Sequence, residues 1–397
     1  MSDNLAIDGG RPVRETMLPY GRQCIDERDI AAVSEVLRSD WLTTGPMVAA
    51  FEKALADLAG VAHAVAVSNG TAALHAAMYC LGVGPGDEVL VPAMTFAATA
   101  NCIAFLGGTP VFVDVDSETL LVDSERLESR ITPKTKAIIA VDYAGQPCDY
   151  DLLRSIAQRH SLRLVDDASH AIGGTYKSRP VGSLAALSTF SFHPVKHVAM
   201  GEGGAIATDD AELSRRMRMF RHHGIDIDSR GREENGYWFY EMLELGFNYH
   251  VSDIQCALGI SQLAKLSESV ARRQAIAAKY DAALADMPAV TPLAVREQVS
   301  HAYHLYVVRL ELEQLRVDRG KVFDALRAEG MGVNVHYIPV HLHPFYRKHF
   351  GTAPGDCPVA EAAYERIISL PMFPGMSDKD SDDVLRAVAK VTESYRR

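Results

Sequence analysis

Lys196 stands apart from the other cations of the chain. It lies in "FSFHPVKHVAMGEGGAI", Phe190 to Ile206, between a proline-stiffened approach and a glycine-rich exit, with almost no other charge nearby. A solvated ammonium on a flexible stem needs no such setting. An amine that must lose its proton and attack a carbonyl does, because burial lowers its pKa. Its neighbour His197 is a second candidate acid/base, although adjacent side chains often diverge. A second segment, "LRLVDDASHAIGG", ends an apolar run on Asp166 and Asp167. On a strand two consecutive carboxylates point to opposite faces, so only one of them can address a given site. Asp167 is assigned to the site; the alternative is that both cap a following helix. In a third segment, "AVAVSNGTAALHAAM", a strand leads through Ser68, Asn69, Gly70 and Thr71 into a helix opening near Ala72. Free N–H groups and the positive end of the helix dipole there suit a phosphate, and an ordinary capped helix start has the same look. No GxGxxG follows a strand and opens a helix, which removes the usual support for dinucleotide binding.

Bringing these segments to one place requires a sheet. The runs "HAVAVS", "EVLVPA", "TPVFVDV", "KAIIAVDY", "LRLVDDA", "STFSF" and "GAIAT" are of strand length, and most gaps between the earlier ones are long enough for a helix. That alternation predicts α/β architecture around a mostly parallel sheet, whose strand ends present ligand groups. From Val251 the pattern changes to one long helix through Leu284, with Ser252 as its N-cap, and then to shorter strands such as "AYHLYVVRL". The expected division is a large domain over residues 1–262, including the N-terminal segment, and a small C-terminal domain over 263–397.

Composition bounds the rest. A chain of 397 residues, 48% hydrophobic and 23% charged, can bury more than one core. A net charge of −11 argues against a general affinity for nucleic acid or anionic membrane, and leaves room for a local basic pocket. The six cysteines form no CxxC pair, which predicts reduced thiols and no zinc site. The N-terminal stretch carries neither a basic leader nor an apolar run and is not expected to be a signal peptide, and with the unpaired cysteines the expected location is cytoplasmic. The most membrane-like window, "VLVPAMTFAATANCIAFLGG", is interrupted by Pro92, Thr95, Thr99 and Asn101, and reads better as a buried strand followed by a buried helix.

A lysine, a carboxylate and a phosphate cradle are together what pyridoxal phosphate asks of a protein. "SNGTAAL", "VDDASHA", "SFHPVKHVAMGEGGAI" and "LGFNYHVSDIQCALG", in that order, resemble the cofactor and subunit-interface motifs of the DegT-type sugar aminotransferases. The resemblance implies a fold type I PLP-dependent transferase: a large three-layer domain with a mostly parallel sheet plus a smaller C-terminal α+β domain. It implies that Lys196 bonds to the cofactor aldehyde and later moves a proton, and that Asp167 holds the pyridinium nitrogen. His170 falls near the ring hydroxyl and Phe96, in "PAMTFAATAN", where an aromatic ring stacks on the cofactor. Gly70, Thr71 and Ser191 fall at its phosphate. Asn248, in "GFNYHVSD", would reach the phosphate of a neighbouring subunit, which makes the implied enzyme a homodimer with shared sites. Family members that dehydrate sugars have a histidine in place of the lysine, so Lys196 favours amination.

The stretch "GVNVHYIPVHLHPFYRKHFG" is similar to the C-terminal region of one subfamily, the UDP-4-amino-4,6-dideoxy-N-acetyl-L-altrosamine aminotransferases of pseudaminic acid biosynthesis. "LPYGRQCIDERDIAAVSEVLRSDWLTTGP" and "LPMFPGMSDKD" are similar to the same subfamily. The implied reaction takes an amino group from L-glutamate, releases 2-oxoglutarate and aminates the C4 keto group of a UDP-linked 6-deoxy-hexosamine. His341 and His343 have a spacing that permits metal binding, but no cysteine or carboxylate joins them nearby, and the expectation is no metal. "RRMRMFRHHG" offers Arg218, Arg221, His222 and His223 to a diphosphate, or is a solvated helix face.

Overall fold

All seven apolar runs enter one sheet in the computed structural model, which describes residues 4–226, 236 and 238–397. The strands are β1 (His63–Val67), β2 (Glu88–Pro92), β3 (Thr109–Val113), β4 (Thr135–Val141), β5 (Arg163–Asp167), β6 (Leu187–Ser191) and β7 (Gly204–Thr208). They lie in the order β1-β7-β6-β5-β4-β2-β3. Pairing is parallel from β3 through β6 and antiparallel at β6–β7 and β7–β1. Runs such as "KAIIAV" lack polar alternation because helices cover both faces of a sheet of this kind. The Gly70–Cys80 helix shows the same logic: eight of its residues, from Ala72 to Cys80, are buried, and its small alanines let it lie close to its neighbours. The membrane-like window resolves into β2 and the Ala97–Ala104 helix. Among the described residues no helix is long and apolar enough to cross a membrane.

The helix expected to run unbroken from Val251 to Leu284 is two helices, Asp253–Leu263 and Leu266–Leu284. Ser252 does cap the first, in a reciprocal arrangement with Gln255. The break falls at Lys265, which leaves helical geometry at φ −103° and ψ 0°. There its ammonium donates to the buried Asp29 carboxylate at 2.5 Å, a partner far away in sequence. No helical period could announce that contact.

Beyond the break, β8 (Val290–Pro292), β9 (Tyr306–Leu310) and β10 (Ile367–Leu370) form an antiparallel sheet. Buried apolar residues separate into two clusters, one around the seven-stranded sheet and one around β8–β10 and the Asp378–Ser394 helix. The N-terminal stretch, expected with the large domain, sends Leu5 and Leu18 into the second cluster. Glu329 fixes it there: its carboxylate accepts from the backbone N–H groups of Ala6 and Val13 and from Lys390.

The arginines expected at a diphosphate or on a solvated face do a third thing. Arg218 and Arg221 donate to the buried Glu52 at 2.5 and 2.7 Å, and also to the carbonyls of Ala64 and Ala66 on β1. They tie the Ala211–Arg221 helix to β1 and to the Pro46–Ala59 helix. Glu52→Ala leaves these guanidinium groups without their anion and is expected to cost roughly 3 kcal/mol. A lowered denaturant midpoint checks this; an unchanged one refutes it.

Candidate active site

A cavity of about 570 Å³ opens at the C-terminal ends of β4 and β5 and is closed on its other side by His304 and the loop Asn334–Tyr337. Lys196 enters it from the turns between β6 and β7. Its amine makes a 3.4 Å contact with His304 Nε2. Desolvation brings the Lys196 pKa down to about 7, against the opposing pull of Asp167. A pKa in that range suits a group that takes and returns a proton near neutral pH.

Asp167, the last residue of β5, is buried and faces the same cavity. Oδ2 accepts from Thr99 Oγ1 at 2.7 Å and Oδ1 from Ser169 Oγ at 2.6 Å. Two hydroxyls thus fix the plane of the carboxylate while leaving acceptor capacity toward the cavity. Asp166 lies fully buried and outside the cavity, beside Asp142 and Tyr150, and burial pushes its carboxyl well up. The alternation of a strand separates the two as expected, but turns follow β5, so neither aspartate caps a helix there.

The helix read as a candidate phosphate cradle opens two residues earlier than the sequence indicated. Asn69 is the N-cap, its Oδ1 accepting from Ala72 N at 2.8 Å, and the helix opens at Gly70. That leaves the N–H groups of Gly70 and Thr71 at the open end of the helix, on the cavity wall beside Ser191. Close approach explains the glycines: a Cβ on Gly70 would sit 2.8 Å from Ser191 Cβ, and one on Gly204 would sit 2.3 Å from Asn69 O. Gly70→Ala overpacks this corner by about 1–3 kcal/mol. It is expected to weaken cofactor binding about tenfold or more, measured by absorbance titration of the cofactor-free chain; unchanged affinity would place the phosphate elsewhere.

Other sequence-predicted residues divide. Phe96 and His170 line the cavity. Phe96 stays 58% exposed, its ring 5.9 Å from that of Tyr337. His170 is buried, with Nε2 3.1 Å from Tyr337 Oη, and desolvation and the neighbouring Lys196 hold its pKa well below the usual range. Asn248 is exposed and outside this chain's cavity, bridged to His222. His197 turns away: its Nε2 meets Ala302 O at 2.8 Å in a buried position. His341 is buried against Glu361 at 2.9 Å. Thr99, Ser169, His304 and Tyr337 are the partners that sequence reasoning passed over. Three of them lie in the segments "PAMTFAATAN", "VDDASHA" and "GVNVHYIP", beside the residues those motifs point to, and His304 lies in the strand-like run "AYHLYVVRL". A larger groove of about 870 Å³ lies beside Arg14 and the Asp378–Ser394 helix, far from these groups, and Arg14 is there already paired with Asp380 and Asp383.

An amine whose pKa burial lowers to about 7, a fixed carboxylate and an open helix end meet in one cavity, so the residues present fit pyridoxal phosphate. The model of the DegT/DnrJ/EryC1/StrS aminotransferase family matches residues 23–389. The chain belongs to this family. As a DegT-type sugar aminotransferase it has fold type I and takes pyridoxal phosphate as its cofactor. Along its sequence it is 42% identical to the spore coat polysaccharide biosynthesis protein SpsC of Bacillus subtilis, over 96% of this chain and 98% of that one. Its fold matches Helicobacter pylori PseC, an aminotransferase involved in the biosynthesis of pseudoaminic acid, with a TM-score of 0.90 and 33% identity over 96% of this chain and all of that one. It also matches DesI, solved in the presence of its TDP-sugar product, with a TM-score of 0.87 and 34% identity over 98% and 96% of the two chains.

Proposed function

We propose that this aminotransferase moves the amino group of L-glutamate to the C4 keto group of a UDP-linked 6-deoxy-hexosamine in pseudaminic acid biosynthesis. The observation that carries the reading is the meeting of Lys196, Asp167 and the Asn69–Thr71 helix start in one cavity. The likeness to PseC along the whole chain supports the substrate class, and the TDP-sugar product of DesI supports a nucleotide-linked sugar.

Bound pyridoxal phosphate supplies an electron sink for the carbon that loses its proton. Lys196 would hold the cofactor and, as a neutral amine, would accept that proton and return it. Asp167 would keep the ring nitrogen protonated, because a carboxylate nearby favours the charged form. The N–H groups of Gly70 and Thr71 and the hydroxyl of Ser191 would bind the phosphate. Phe96 would stack on the ring, and His170 would lie beside the ring hydroxyl. Asn248 would reach the phosphate bound by a second copy in a homodimer. Large apolar side chains left exposed on the single chain support that assembly: Trp41 at 56%, Met242 at 64% and Leu245 at 77%.

The test is incubation of the enzyme with ¹⁵N-labelled L-glutamate and a UDP-linked 4-keto-6-deoxy-hexosamine. The expected result is the label at C4 of the sugar with one 2-oxoglutarate released per amine. Transfer to a TDP-linked keto sugar and none to the UDP-linked one would overturn the nucleotide assignment and leave the family chemistry standing.

A further inference from the structure

His304 is buried, and its Nε2 is 3.4 Å from Lys196 Nζ. No role for it follows from the cofactor-binding residues named above. Its ring lies 4.4 Å from that of His170, centroid to centroid, and its Nδ1 has no partner among the described residues. No second contact fixes the tautomer, so Nε2 is free to follow the charge on Lys196. An ammonium has donors only, and opposite it the imidazole must accept. Opposite a neutral amine it can donate instead.

The groups facing this pair come from several elements. Asp167 approaches from β5, His170 from the turn after it, His336 from the C-terminal loop and Arg273 from the Leu266–Leu284 helix, while His197 lies beside the pair. Most are cations or become cations on protonation. In their company a second proton on His304 is disfavoured, and burial adds to this. His304 therefore stays neutral and acts through its hydrogen bond.

We propose that His304 is a positioning residue: as a neutral imidazole it accepts a hydrogen bond from the protonated Lys196 amine and holds that amine at the cavity face between proton capture and return. A hydrogen bond to the charged form favours it, and charge-assisted bonds are about twice as strong as neutral ones. Without this bond the amine gives up its proton too readily to deliver it. The inference rests on the reading of Lys196 as the proton-carrying amine.

Competitive acetylation of the full chain freed of cofactor, with acetic anhydride across a pH series and mass-spectrometric readout at Lys196, tests it. The wild-type midpoint is expected near neutrality. His304→Phe is expected to lower it by about one pH unit, the scale of one lost hydrogen bond to a charge. His304→Gln, whose amide still accepts, stays close to wild type. His304→Asn, whose shorter amide falls short of Nζ, follows His304→Phe and serves if the phenylalanine variant does not fold. A normal wild-type midpoint, about 10.4, overturns the reading of Lys196 together with this inference. A neutral wild-type midpoint that Phe and Asn leave unmoved overturns the role of His304 alone.

Discussion

Lys196→Ala is expected to lower turnover by on the order of 10⁴-fold or more, the scale seen when a covalent and proton-transfer group is removed. The variant should still fold and bind pyridoxal phosphate without a covalent bond, because Gly70, Thr71, Ser191 and Asp167 remain around the cavity. Release of 2-oxoglutarate from L-glutamate in the presence of the keto sugar is the measurement. Activity within tenfold of wild type would mean that the amine of Lys196 carries neither job. The wild-type enzyme adds a check by pH. The free amine has a pKa of about 7 because burial disfavours its charged form. It must be neutral to accept a proton, so the step it serves slows as pH falls below that value and levels off above it. A rate that stays flat from pH 8 to pH 5.5 would contradict the assignment.

Asp167→Asn is the second large effect. The substitution keeps the shape of the side chain and removes its charge, and the hydroxyls of Thr99 and Ser169 that hold the carboxylate at 2.7 and 2.6 Å can turn to suit the amide. What is lost is the anion facing the cavity. The kcat is expected to fall on the order of 10²–10³-fold, the usual consequence of deleting one preorganised electrostatic partner. Cofactor retention, read by absorbance after gel filtration, should change far less. A kcat within threefold of wild type would mean that another group holds the ring nitrogen.

Lys196 and Asp167 differ in how they could be read. The setting of Lys196 was legible because the unusual feature is local: a cation flanked by proline and glycines, in a stretch with almost no other charge, is visible in seventeen residues. That only one of Asp166 and Asp167 could face the cavity was legible through the alternation of a strand, although the alternation does not say which. The seven strands were legible for a similar reason. A strand buried on both faces must be apolar throughout, and that requirement is written residue by residue.

The partners were not legible. Thr99 reaches Asp167 across 68 positions, and His304 reaches Lys196 across 108. Arg218 and Arg221 look like a phosphate site or a wet helix face until Glu52 appears beneath them, and the long helix after Val251 is broken at Lys265, whose amine meets Asp29. His197 and His304 illustrate the limit most directly. Nearness in sequence made His197 the candidate neighbour of Lys196, and the fold turns it toward Ala302 while bringing His304 to the amine. The sequence by itself determined the kind of chemistry, because a nucleophilic lysine, a carboxylate and a helix start must each be present as residues in workable local settings. Only the tertiary structure decided which groups hold them, since a hydrogen bond depends on a distance of about 3 Å in space and places no constraint on separation along the chain.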